Sequence, residues 1–167
     1  REAPRLDLDL PGKWRAIPYR ELDATNDKKL KDGTPLMHFV EQPPDGFWPV
    51  YKGASFDLWT PDTGIYYAWA DPAVGIRRLQ AKRERSARLS RSAMSEFDKA
   101  WVAAEHTQPC FSARLAFRDV TRSTDTRTVR CALLPPNVFI TNTGPYLLWP
   151  RGDARDQAYL LGILGSI

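Results

Sequence analysis

Histidine, cysteine and methionine are almost missing from this chain, at two of each in 167 residues. His38 and His106 stand alone, and neither CxxC nor HExxH spacing occurs, so no convergent set of metal ligands is expected. Both histidines read as surface or hydrogen-bonded structural residues. The G-x-S-x-G elbow, the Walker loop and G-x-G-x-x-G are all missing. Pro61-Asp62 matches the first half of a restriction-nuclease motif, but Asp98-Lys99 lies at the wrong spacing to complete it, and turn chemistry explains the pair better. No run of about 18 apolar residues exists to span a membrane, and no signal peptide opens the chain. Cys110 and Cys131 do not fall opposite each other if the strands that follow pair, so the expectation is reduced thiols in a cytoplasmic protein.

What is present is a globular composition. Hydrophobic residues make up 43%, six are tryptophan, and the net charge is +4. That length supports one domain, residues 1–167, with a real core. The mild positive charge hints at a polyanionic partner. The chain opens on Arg1 and closes on the apolar run Leu160–Ile167 without a polar stop, which predicts a fragment of a larger protein.

Residues 1–46 are polar, with turn signals at Pro11-Gly12 and Asp32-Gly33 and a short strand at Leu36–Val40. Trp48–Trp59 and Ile65–Trp69 read as strands around a Thr60–Gly64 turn, with Gly53 marking a bulge or close backbone approach. Asp71 and Pro72 then read as the cap and first turn of a helix. Ile76, Leu79, Ala87, Met94, Phe97 and Trp101 recur at helical spacing, either in one helix to about Glu105 or in two broken near Ser90–Ser92. Arg77, Arg78, Lys82, Arg85, Arg88 and Arg91 lie opposite, while Arg83 and Leu89 break the pattern. Phe111–Arg118 and Thr128–Leu133 alternate as two strands, with Arg114, Arg118 and Arg130 expected outward. Val138–Thr141 and Pro145–Trp149 suggest a further strand pair, and Asp153 caps a last helix. The sum is an α+β domain, mainly antiparallel sheet with one prominent amphipathic helix and a C-terminal helix.

A catalytic centre is not legible. Methyl transfer would need a glycine-rich donor loop and an Asn-Pro-Pro-Tyr loop. Pro135-Pro136-Asn137-Val138 and Thr143-Gly144-Pro145-Tyr146 hold similar letters in the wrong order. No catalytic, cofactor-binding or metal-binding residue is therefore expected. DNA binding is better supported, because a two-stranded ribbon fits the major groove. Arg114, Arg118 and Arg130 on the strands, with Arg122 and Arg127 at the turn, offer forked donors to guanine edges and phosphates. Thr121, Ser123, Thr124 and Thr128 add short hydrogen-bonding groups, and Asp119 and Asp125 could accept from cytosine or orient arginines. A solvated hairpin with cross-strand Arg–Asp pairs fits the same letters. Arg78, Lys82 and Arg85 head a second candidate surface, a helix face that tracks phosphates or one that merely solubilises. The aromatics Tyr51, Phe56, Trp59, Tyr66, Tyr67 and Trp69 could stack on bases but read mainly as core.

Residues 114–164 carry a family resemblance. The segments Ala116–Thr128 (AFRDVTRSTDTRT), Leu134–Asn137 (LPPN), Thr141–Thr143, Pro145–Leu148 (PYLL) and Ala158–Leu164 follow one another here. That order resembles the C-terminal target-recognition region of N-6 adenine-specific DNA methyltransferases, including type IIG restriction–modification and related phage-defence enzymes. Pro49–Gly53 (PVYKG) is similar to an upstream element of that group, with Lys52 where an acid is usual. The resemblance spans roughly residues 47–167 and is weak before 47. It implies that this chain selects a sequence in double-stranded DNA beside a methyltransferase domain of the parent chain. That domain would use S-adenosylmethionine, sometimes with an endonuclease. Base-reading contacts are then expected in or near Arg118–Arg130. The alternative is a protein-interaction module that docks on the methyltransferase domain or a defence partner.

Overall fold

A computed structural model describes residues 11, 14–120, 129–150 and 152–166. In chain order its elements are β1 (Ile17–Tyr19), β2 (Trp48–Tyr51), β3 (Ala68–Ala70), α1 (Pro72–Ala87), α2 (Lys99–Ala103), β4 (Arg114–Phe117), β5 (Cys131–Leu134), β6 (Phe139–Ile140), β7 (Tyr146–Leu148) and α3 (Ala154–Ser166). Four strands form one antiparallel sheet in the order β1-β7-β4-β5. A smaller sheet runs β3-β2-β6, antiparallel between β2 and β3 and parallel between β2 and β6. The α+β expectation stands, with antiparallel pairing dominant and helices that include a C-terminal one.

Three apolar clusters hold these layers. Val50, Ala68, Val74, Leu79 and Phe139 pack α1 onto the small sheet. The approach is close at Gly75, where a Cβ would meet the Phe139 ring at 2.3 Å. Tyr51, Phe56, Ala116, Ala132, Leu134, Ile140 and Tyr146 fill the space between the sheets. Leu115, Cys131, Leu160 and Leu161 bury the other face of the large sheet under α3.

Several boundaries differ from the sequence expectation. Strand pairing in Trp48–Trp59 stops at Tyr51, and a short 3-10 turn at Gly53–Ser55 follows. Leu36–Val40 contributes a single bridge, His38 to Trp69, at the edge of β3. The helix beginning at Pro72 ends at Ala87, so of the two expected alternatives the chain takes the broken one, with a 3-10 turn at Ala93–Glu96 before the short α2. Arg83, which broke the apolar pattern, turns inward at 2% exposure. It donates to the Trp101 carbonyl and to Thr107 Oγ1, and its guanidinium lies 3.9 Å over the Trp101 ring. The two strands flanking Asn142–Gly144 do not pair with each other. β6 joins the small sheet and β7 the large one, so the turn carries the chain between layers.

A second crossing runs beside it. β1 belongs to the large sheet, while Leu22 bridges Thr141 next to β6, so Arg20 and Glu21 span the gap. Arg114 enters that gap from β4. It ion-pairs with Glu21 and donates to the Val138 carbonyl, and the other Glu21 oxygen accepts from the Ile140 amide. Both side chains are at most 3% exposed. Arg114→Ala, which strands a buried carboxylate, should cost about 3–5 kcal/mol, and an unchanged urea midpoint would show that this pair does not hold the layers. Both cysteines are free and buried, and burial pushes the Cys110 thiol up to about 12 and the Cys131 thiol upward as well. An aromatic disulfide reagent near neutral pH should therefore titrate neither thiol in the folded protein and both in denaturant, whereas fast reaction of the native chain would contradict this packing.

Candidate functional site

The expected ribbon exists: β4 and β5 pair with Arg114 opposite Leu134 and Phe117 opposite Cys131, and the Arg118 amide extends the ladder to the Arg130 carbonyl at 2.9 Å. Arg114 points inward, and Arg118 and Arg130 lie half-buried at the ribbon's rim. In a strand residues 114, 116 and 118 share one face, and that face turns toward the space between the sheets, because α3 covers the opposite face. Arg114 is consequently core. Arg118 and Arg130 sit across from each other at the rim, where two like charges facing would repel. Asp57 lies between them, its Oδ2 3.3 Å from Arg118 Nη2 and 2.9 Å from Arg130 Nη1. Arg118 also donates to the Phe56 carbonyl at 2.8 Å. These arginines clamp the loop after β2. Thr121, Arg122, Thr124, Arg127 and Thr128 lie outside the described residues.

Beside this clamp lies a groove of about 350 Å³ lined by Lys52, Gly53, Arg118, Val120, Thr141 and Thr143, among others. The turn after β6 organises it. The Thr143 carbonyl accepts from the Asp119 amide, and the Thr143 hydroxyl accepts from the Gly53 amide at 3.1 Å. A Cβ on Gly53 would stand 3.0 Å from the Thr143 carbonyl, which gives this glycine its close-approach role. Val120, at the groove's edge, is 77% exposed.

The basic helix face is divided. Arg78 pairs with Asp27, which is 5% exposed, at 2.5 Å. Lys82 donates to the Arg20 and Glu21 carbonyls at 2.6 and 2.7 Å, and burial pulls its ammonium below the ordinary lysine value. Neither is a free cation. Arg85 is exposed and lines a second cleft, of about 580 Å³, between α1 and the Asn26–Thr34 segment. Lys29 and Lys31 line it too, and no signal in that polar stretch marked them, because only the fold brings it against α1.

Of the aromatics, Tyr51 and Phe56 are fully buried, and Tyr66, Tyr67 and Trp69 make ring contacts, which fits their reading as core. Trp59 is 59% exposed, in left-handed backbone (φ 59°), and packs beside Gly165. Pro61-Asp62 is a turn: Asp62 accepts from the Gly64 amide at 2.7 Å and from the Tyr66 hydroxyl at 2.9 Å. No helix among the described residues is long and apolar enough to cross a membrane.

No protein-family model, curated protein or solved structure matches this chain.

The reassignment of Lys82 has a measurable consequence. Lys82→Met leaves two crossing-strand carbonyls short of a donor and should lower stability by about 1–3 kcal/mol, read from a urea melt. A variant as stable as wild type would return Lys82 to the solvated face.

Proposed function

We propose that this chain is the sequence-recognition portion of an adenine-specific DNA methyltransferase or type IIG restriction–modification enzyme, acting in the cytoplasm on double-stranded DNA. One observation carries the reading. Three motif pieces far apart in sequence, Lys52-Gly53, Arg118–Val120 and Thr141–Thr143, line one groove. Those same pieces carry the resemblance to the recognition region. The groove is mainly apolar, and beside its anchored turn the Lys52 ammonium and the exposed Thr143 hydroxyl are the groups offered to phosphate oxygens that fix register. Base reading falls to the 119–130 segment beyond the clamp. Arg122 and Arg127 there are the forked donors of choice, since Arg118 and Arg130 are engaged with Asp57. The chemistry belongs to a methyltransferase domain of the parent chain, which would bind S-adenosylmethionine. This chain contributes selection and no catalytic residue.

A second reading has its own observation. On α3, Tyr159 and Ile163 are 64% and 40% exposed, an apolar row suited to docking on the methyltransferase domain. The two readings separate in a selection of random duplexes by the chain. DNA reading predicts enrichment of a defined motif, and Arg122→Ala or Arg127→Ala should relax one position by about 1–3 kcal/mol, roughly 5- to 150-fold. Binding to the methyltransferase domain alone, with no enriched motif, would put the docking reading first.

A further inference from the structure

We infer that the cleft between the Asn26–Thr34 segment and α1 grips the phosphate backbone of duplex DNA, an inference that rests on the DNA-recognition reading above. Five cations line this cleft, Lys29, Lys31, Arg77, Arg78 and Arg85, against two acids, Asp27 and Asp32. Asp27 is neutralised by Arg78, and that pair ties the loop to the helix as the cleft's wall. Asp32 is turned to its own loop, where it accepts from the Thr34 amide at 2.9 Å. The remaining four cations are exposed, and among the described residues none takes part in an ion pair. Five cations against two carboxylates leave the cleft net positive, with Asp32 offsetting part of the charge of Arg77.

The layout suits a linear polyanion. Arg77, Ala81 and Arg85 follow at intervals of four, one row along the helix, and at 1.5 Å per residue the row spans about 12 Å. Ala81 between the two arginines keeps the floor open. Lys29 and Lys31 face this row from the other wall, so cations approach from two sides. The cleft also adjoins the recognition groove. Ala24 lines the groove while Asn26 and Asp27 line the cleft, so one turn, Asp23–Asp27, separates them. That turn is pinned on both flanks, by Asn142 Oδ1 and the Tyr67 hydroxyl on one and by Arg78 on the other. A duplex lying across the groove would meet the cleft with the same fixed geometry. The cleft cations carry no sequence information, so they would add affinity and register and leave site choice to the 119–130 segment.

The test is the salt dependence of binding by the full chain to a random-sequence duplex. Each phosphate contact contributes about 0.9 to the slope of log affinity against log salt. Replacing Lys29, Lys31, Arg77 and Arg85 together with alanine should reduce that slope by roughly two to four units. Swapping each for the other cation (Lys29→Arg, Lys31→Arg, Arg77→Lys, Arg85→Lys) should keep it. Arg88→Ala with Arg91→Ala, exposed arginines outside the cleft, should change it less. All variants are surface changes, and circular dichroism checks their folding. If wild type binds the duplex and the quadruple alanine variant keeps its slope, the cleft assignment falls and DNA recognition stands. An equal effect of the Arg88 and Arg91 pair reduces the cleft to general net charge and overturns it. Saturable binding of inorganic pyrophosphate with an unchanged DNA slope assigns the cleft to a small polyphosphate instead. If wild type binds no duplex even at low salt, both readings fall together.

Discussion

The ion pair of Glu21 with Arg114 is the constraint around which the two sheets are arranged. Each sheet alone is small, and two of the chain segments that cross between them, 20–21 and 135–138, meet at this pair. Crossing segments expose backbone amides and carbonyls that no ladder satisfies, and burial without partners is costly. Arg114 and Glu21 supply those partners, with the Val138 carbonyl and the Ile140 amide bonded to the two side chains. Lys82 extends the same solution by donating to the Arg20 and Glu21 carbonyls from α1. The Tyr146 ring, 4.9 Å from the Arg114 guanidinium, closes one side.

Much of the chain's positive charge is spent on architecture. Arg83 ties α1 to the α2 region, Arg118 and Arg130 share Asp57, and Arg78 holds the loop at Asp27. Arginine suits these positions because its planar fork satisfies two acceptors in fixed geometry. Four of the cations left exposed, Lys29, Lys31, Arg77 and Arg85, gather at the Asn26–Thr34 cleft, next to the groove at Lys52 and Thr143. A basic composition therefore says less about a partner than the few cations that lack an internal acceptor.

That arrangement gives the candidate site a stiff base. The Asn142–Gly144 turn is tied to the end of β4, to Gly53 and to Ala24. The bond from the Arg118 amide to the Arg130 carbonyl closes the described end of the ribbon beside this base.

The sequence by itself determined the local features. Asp71 with Pro72 starts a helix, Asp153 caps another, Pro135-Pro136 ends β5, and alternation in 111–118 and 128–133 specifies a paired ribbon. Each rests on contacts within a few residues, which is why each was legible. The mixed α+β class followed from their sum. Only the tertiary structure decided what those elements face. A strand alternating apolar and arginine residues has two sides, and the letters mark the arginine side as solvent unless another layer covers it. Here α3 covers one face and the small sheet the other, so Arg114 became core. The joining of β6 and β7 to different sheets, the inward turn of Arg83 and the meeting of Lys29 and Lys31 with Arg77 and Arg85 also depend on long-range packing. No local pattern encodes these, because the partner of each residue lies 18 or more positions away and is chosen by how the layers stack.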